Sequence, residues 1–465
     1  MVARHRVFHP LATVAAAAAL IAVVTAFYHG WDTPLDRLAR PEASLSRLVS
    51  REMELREALN RAPRWERAVH RMLGFDAEPL DEALEAYDEL VQVEPSAAAA
   101  LRRLVLRLEA GVDAGAGEEI ARVATTYPGA EPAGRWLSAA YLEPADRQAA
   151  AQALEELASF SDPLLDGWFR DTLRRRLANR AGEGELGRQA EAAIRERGHM
   201  LLGRVRALSA AALVLTALSA VWLWRMRQER PRPEAPAALP PPWSAADGWG
   251  LFVWATLGYT AIPVAIGYLP YGMLVPDGAL RLAAGLPVGA LAWLCLRAYS
   301  APVLPTLGLR AGRGDGPRLL GAAMVAFTVP LLVEAVVSRA VGALGVTAHW
   351  ADGFIEDLVW GPPSAILAEV VDSGIWAPLV EEVIFRGFLY GTLRLHLSAW
   401  PAALASGSVF AAVHGYGLVG SIGIMLTGAV WALTYERTRS LLPGMLAHAA
   451  TNLTVTALYV FLLRL

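Results

Sequence analysis

The sequence predicts an all-α protein, a multi-pass transmembrane helix bundle that carries a soluble α-helical domain outside the cytoplasm. Three observations predict it. Of 465 residues, 55% are hydrophobic and 19% charged, with a mean hydropathy of +0.34, which is too apolar for an ordinary soluble chain. The charge is also unevenly spread. Residues 32–200 hold 31 acidic and 23 basic side chains, whereas the longer stretch 233–465 holds 13 and 11. Through that second stretch, apolar runs recur at about the 17–25 residues a bilayer requires.

The elements follow in order. Leu11 to Tyr28 is apolar and stands behind a basic leader that includes Arg4, His5 and Arg6. Residues 1–31 are therefore a signal anchor or a signal peptide, two readings that the residues do not separate. A second apolar run, Ala207 to Trp224, gives a span over 207–225 and is closed by Arg225, Arg227, Arg230 and Arg232. Basic residues flank the cytoplasmic ends of spans, so both clusters belong inside and residues 32–200 outside. Residues 226–249 carry six prolines between Pro231 and Pro242 and read as a stiff Pro/Arg-rich cytoplasmic linker. A polytopic domain then fills 250–465, with spans near 250–269, 279–297, 319–338, 374–394, 401–416, 418–434 and 442–463. Arg310, Arg313, Arg318, Arg394, Arg437 and Arg439 all fall on the side this count places inside. Every one of the 42 basic residues is Arg, as a GC-rich bacterial genome would give, and the expected location is a bacterial cytoplasmic membrane.

The outer domain reads as helical throughout. The stretch from Ala83 to the closing Pro95 resembles the second helix of a tetratricopeptide repeat. Pro128 and Pro163 follow at 33 and 35 residues, close to that repeat's period. The expectation is a degenerate helical-repeat module for a protein partner, with a plain helical bundle as the alternative. Its acidic excess is of the kind that solvates a surface.

Several classes are excluded early. A formal net charge of −3 rules out a polybasic nucleic-acid binder. The single cysteine, Cys295, lies in an apolar run, so there is neither a disulfide framework nor a cysteine metal site.

Charged groups inside spans cost about 2.5–3.5 kcal/mol each at mid-bilayer and so mark function. The span around Pro378 holds Glu381, Glu382 and Arg386. Glu382 and Arg386 are four apart, share a face and neutralise each other, which leaves Glu381 without a partner in its own segment. The next span carries Phe410 and His414, and the last carries His448 and Asn452, again four apart. Polar groups that cannot face lipid must face one another. The set can hydrolyse an amide: Glu381 with His414 can hold and deprotonate a water. A neutral His448 imidazole and the Asn452 amide can donate to the oxyanion of a tetrahedral intermediate, with Phe410 shielding the site. Alternatively Glu381, His414 and His448 make a two-histidine, one-carboxylate zinc shell with an open position. The residues leave that choice open; Asn452 suits an oxyanion donor better than a zinc ligand, which leans to metal-free chemistry.

The ordered trio of Glu381-Glu382 with Arg386, Phe410 with His414, and His448 with Asn452 resembles the three signature motifs of the CAAX prenyl protease and bacteriocin-processing (CPBP, or Abi) family of intramembrane endopeptidases. The likeness covers residues 374–463. It implies Glu381 and His414 on the water and His448 and Asn452 at the oxyanion, with Glu382 and Arg386 orienting the first glutamate. It also implies a membrane protein or lipid-anchored protein as substrate. It says little of residues 32–200.

Rival motifs fail. There is no His-Glu-x-x-His. Gly312 to Asp315 mimics one aspartyl-protease motif and Tyr87-Asp88 its partner, but one is in a loop and the other in the soluble domain. His5 and His9 have a metal-like spacing inside a basic tail. Glu334 reads as a carboxylate that snorkels or pairs with Arg339. Trp222, Trp224, Trp249, Trp360 and Trp376 read as an interfacial belt. Two other functions compete with an enzyme: a catalytically silent scaffold or immunity protein of the same fold, and a transporter, for which no inverted repeat is visible.

Overall fold

The computed structural model describes residues 6–29, 33–72, 79–159, 165–228, 239–267, 277–312, 314–346 and 348–464. His5, Pro163, Arg230, Arg232, Arg313 and residues 229–238 of the expected linker lie outside the described residues. Among those described there is no strand, so the all-α expectation is met. The chain divides into two compact units, one of residues 1–36 and 210–460, the other of 37–209 and 461–465.

The second unit is a run of short helices: α2 (Pro41–Asn60), α3 (Arg64–Met72), α4 (Pro79–Val93), α5 (Ala97–Glu109), α6 (Ala116–Thr126), α7 (Glu131–Tyr141), α8 (Arg147–Ser159) and α9 (Gly167–Ala181). Pro95 and Pro128 do stop helices, because a proline ring cannot continue the ladder. Ser96 then caps α5 by accepting from the Ala99 N–H at 3.1 Å. Neighbours α4–α5, α6–α7 and α8–α9 pack as consecutive hairpins. Tyr87, Leu90, Leu101, Leu104, Trp136 and Phe169 fill their shared core. Arg102, buried among them, is neutralised by Glu42 at 3.0 Å and Asp166 at 3.1 Å. Tyr87 is thus a core residue, and Asp88 pairs with Arg103. Asp315 accepts from the Gly312 N–H at 3.0 Å at the head of a helix. Both halves of that aspartyl-protease mimic are structural.

The first unit holds the membrane helices: α1 (Pro10–His29), the end of the 45-residue α10 (Gly184–Gln228), α11 (Ala245–Gly267), α12 (Asp277–Ala298) and α13 (Gly316–Gly342). After α13 the chain makes a single helical turn, Glu356–Trp360, and enters one unbroken helix over 363–393, α14. Then come α15 (Ala399–Ala412), α16 (Leu418–Thr438) and α17 (Leu442–Leu458), which continues to Arg464 in π form. Among the described residues, four helices are long and apolar enough to cross a membrane: α10, α13, α16 and α17 with its extension. Parts of α1 and α12, and all of α15, are shorter apolar helices. Tight crossings hold the bundle. Gly407 of α15 meets α16 so closely that a Cβ there would stand 2.3 Å from the Met425 carbonyl. Ser219 of α10 bonds Thr328 at 2.9 Å and the Met324 carbonyl at 3.0 Å on α13. Trp376 lies inside α14, against Gly285 of α12.

Candidate active site

Helix α14 does not keep one geometry. Its hydrogen bonding widens to π form over Asp372–Trp376 and again over Val383–Tyr390. Glu381 and Glu382 stand in the α-helical stretch between them, Ala377–Glu382. Such widened turns are uncommon inside helices and recur at functional sites.

Glu382 and Arg386 form the expected pair. The Arg386 Nη1 donates to Glu382 Oε1 at 2.7 Å, and both side chains are fully buried. A guanidinium taken out of water needs more than one hydrogen bond, and its Nε and Nη2 have none. Two aromatic faces supply the rest. The guanidinium carbon lies 4.3 Å from the Phe410 ring centre and 5.1 Å from that of Trp431. Gly428 keeps the space open, since a Cβ there would stand 3.0 Å from Arg386 Nη2.

His448, on α17, is gripped from three sides. Its Nδ1 lies 3.2 Å from Glu382 Oε1, the oxygen that Arg386 also uses. Its Nε2 lies 3.8 Å from Glu381 Oε2. Its ring stacks on Trp431 at 4.5 Å and 28° and meets Phe410 edge-on at 6.0 Å. Glu382 therefore bonds both His448 and Arg386 through the same oxygen, where the sequence expected the Glu382–Arg386 pair to orient Glu381. A carboxylate only accepts, so Nδ1 carries the proton in a neutral ring. Nε2 is then a donor only when the ring holds both protons.

Glu381 is set apart as its lack of a helical partner suggests. Its buried Oε2 accepts no hydrogen bond and lies 3.8 Å from the His448 imidazole.

His414 differs from expectation in its placement. Helix α15 ends at Ala412, so His414 lies in the turn beyond it, where Gly415 takes a φ of +68°. Its Nδ1 is 2.6 Å from the Phe410 carbonyl and its ring 4.5 Å from the Phe410 ring. The carbonyl fixes the proton on Nδ1 and leaves Nε2 as an acceptor. Tyr416 stacks on its other side at 6.3 Å and 20°. Phe410 is therefore the hub: it touches Arg386, His414 and His448 at once.

Asn452, one turn after His448, donates from Nδ2 to the Ser373 carbonyl at 2.8 Å, within the first π stretch of α14. One of its two N–H groups is thus engaged by the fold. Glu334 lies against Gly423 of α16. Among the described residues, no three His, Cys, Asp or Glu side chains gather as a metal ion requires, so Glu381, His414 and His448 as placed do not fit a zinc shell.

Residues 363–454 match the family of type II CAAX prenyl endopeptidases, Rce1-like. Over this segment the chain is similar to that family. The match takes in all seven site residues and none of residues 37–209. The family is one of peptidases acting on membrane-associated proteins, and the described residues of this chain include four helices long and apolar enough to cross a membrane. No curated protein and no solved structure matches the chain.

Trp431 was not legible as a site residue. The available signal was an indole in mid-helix, away from the span ends, where its N–H needs a partner. Ser373, which contributes only a carbonyl, left no signal at all.

Proposed function

We propose that the chain is an intramembrane endopeptidase that hydrolyses a peptide bond of a membrane protein or lipid-anchored protein by activated water. Glu381 is the general base. The observation that carries this is its buried, unbonded carboxylate oxygen 3.8 Å from His448, in a segment matched by a peptidase family. A base of this kind contributes about 10²–10⁴-fold to a rate. His414 and Glu381 do not pair, and a water held between them has the His414 Nε2 lone pair on one side and the carboxylate on the other. The water attacks the scissile carbonyl, Glu381 takes its proton, and the proton passes to the leaving amine as the tetrahedral intermediate collapses. A proton on His448 Nε2 and the Asn452 amide would donate to the oxyanion. Phe410 excludes bulk water, and Glu382 and Arg386 hold His448.

The soluble unit is assigned to client recruitment on the extracytoplasmic side of a bacterial cytoplasmic membrane. Its presence on the same chain as the protease domain supports this. Deleting residues 32–200 should spare insertion and abolish processing; normal processing by the truncated chain would overturn the assignment.

The test of the whole reading compares membrane-proteome termini in cells expressing wild type and Glu381→Gln at matched levels. Peptide ends present only with wild type are expected. Identical termini would move the function to a silent scaffold.

A further inference from the structure

We infer that Trp431 is a positioning residue for the reaction, fixing the plane of the His448 ring through an anchor built on a proline in another helix. The inference rests on the peptidase reading above and deepens it.

The anchor begins at Pro330, inside α13. A proline has no N–H, so the carbonyl four residues earlier, that of Ala326, loses its helical donor. The Trp431 Nε1 fills that vacancy and donates to the Ala326 oxygen at 3.0 Å, in a buried contact. A buried indole with its one donor satisfied and its body packed is held in a single orientation. Trp431 is 2% exposed. The face so fixed is the one on which His448 stacks at 4.5 Å and 28°.

This stacking constrains what Glu382 alone cannot. A single hydrogen bond at Nδ1 sets the direction of one ring atom and leaves the ring free to swing about that axis. A parallel indole removes the swing and fixes where Nε2 points. The indole also lies 5.1 Å from the Arg386 guanidinium carbon. Helix α13 lies outside the family match, yet it enters the site by this route.

The probe is a quenched fluorescent peptide ending in a prenylated cysteine and three further residues, offered to the full-length protein in lipid nanodiscs. Wild type, Glu381→Gln, Trp431→Phe and Trp431→Leu are compared, with Trp431→Met in place of Trp431→Leu if that variant does not accumulate. Trp431→Leu is expected to lose at least about thirtyfold in kcat with KM within about twofold, because His448 acts in the transition state. Trp431→Phe keeps an aromatic face but loses the Nε1 donor to Ala326, so it should recover only part of that loss. Wild-type kcat in Trp431→Leu would overturn the inference. So would equal losses in the Leu and Phe variants, or a rise in KM in step with the loss, since each marks mere packing. A wild type no faster than Glu381→Gln would instead sink the peptidase reading, and the inference with it.

Discussion

Glu382 holds His448 by Nδ1 at 3.2 Å with the same oxygen that receives the Arg386 guanidinium at 2.7 Å. One carboxylate thus neutralises a fully buried cation and sets the tautomer of the His448 imidazole. Removing one member of a buried pair costs about 3–5 kcal/mol, because the other charge is left uncompensated. Glu382→Ala should therefore lose stability of that order as well as activity, read from unfolding of the detergent-solubilised protein. Unchanged unfolding would mean that Arg386 finds its compensation elsewhere.

Two glycines border this pair. A Cβ at Gly444 would stand 2.8 Å from Glu382 Oε2, and one at Gly428 3.0 Å from Arg386 Nη2. Gly444→Ala and Gly428→Ala should each destabilise by about 1–3 kcal/mol, as overpacking does. Gly289→Ala is the control, since nothing lies within 4 Å of its Cβ position. A helical Gly→Ala change at an open site should stabilise slightly, by about 0.5–1 kcal/mol. Equal effects at all three positions would contradict the packing account.

The leader is tied into the bundle. Asp247, at the head of α11, accepts from the Val7 N–H at 2.9 Å, the Phe8 N–H at 3.2 Å and the Tyr299 hydroxyl at 2.5 Å. Phe8 packs against Gly250. These contacts favour the anchor reading of the first apolar segment over the cleaved one. Intact mass of the purified protein should retain residues before Pro10. A mass lacking the segment through about residue 31 would contradict it.

A pH dependence belongs to the unit of residues 37–209. Burial, with a smaller contribution from Glu82, pushes the Glu52 carboxyl up to about 7 from an ordinary 4.5. The folded state therefore holds the proton more tightly than the unfolded one. Stability from this group is fully present below about pH 4.5 and is lost as pH rises through about 7, a change of at most about 3 kcal/mol. Glu52→Gln should raise the unfolding temperature at pH 8 and leave it nearly unchanged at pH 4. A gain of equal size at both would show that the carboxyl's charge is not the cause.

Much of this was legible from residue types and spacing, and the reason is physical. Charge in an apolar helix is costly enough to be conspicuous, so Glu381, Glu382, Arg386 and His448 announced themselves, and the four-residue interval paired Glu382 with Arg386 before any coordinates. Spacing could not show which neighbour Glu382 serves besides Arg386, because that depends on how α17 crosses α14. Nor could it show that α15 ends before His414, since the run stays apolar past Ala412. The π stretches of α14 and the Ala326–Trp431 anchor depend on backbone carbonyls, which composition does not encode.

The most direct measurement is the cleavage rate of the prenylated peptide by purified full-length protein, wild type against Glu381→Gln. The substitution is nearly isosteric and removes only the base. The account predicts cleavage by wild type and a loss of at least about a hundredfold in the variant, with unfolding unchanged. Equal rates in the two would contradict it, and would take the proton-accepting role away from Glu381.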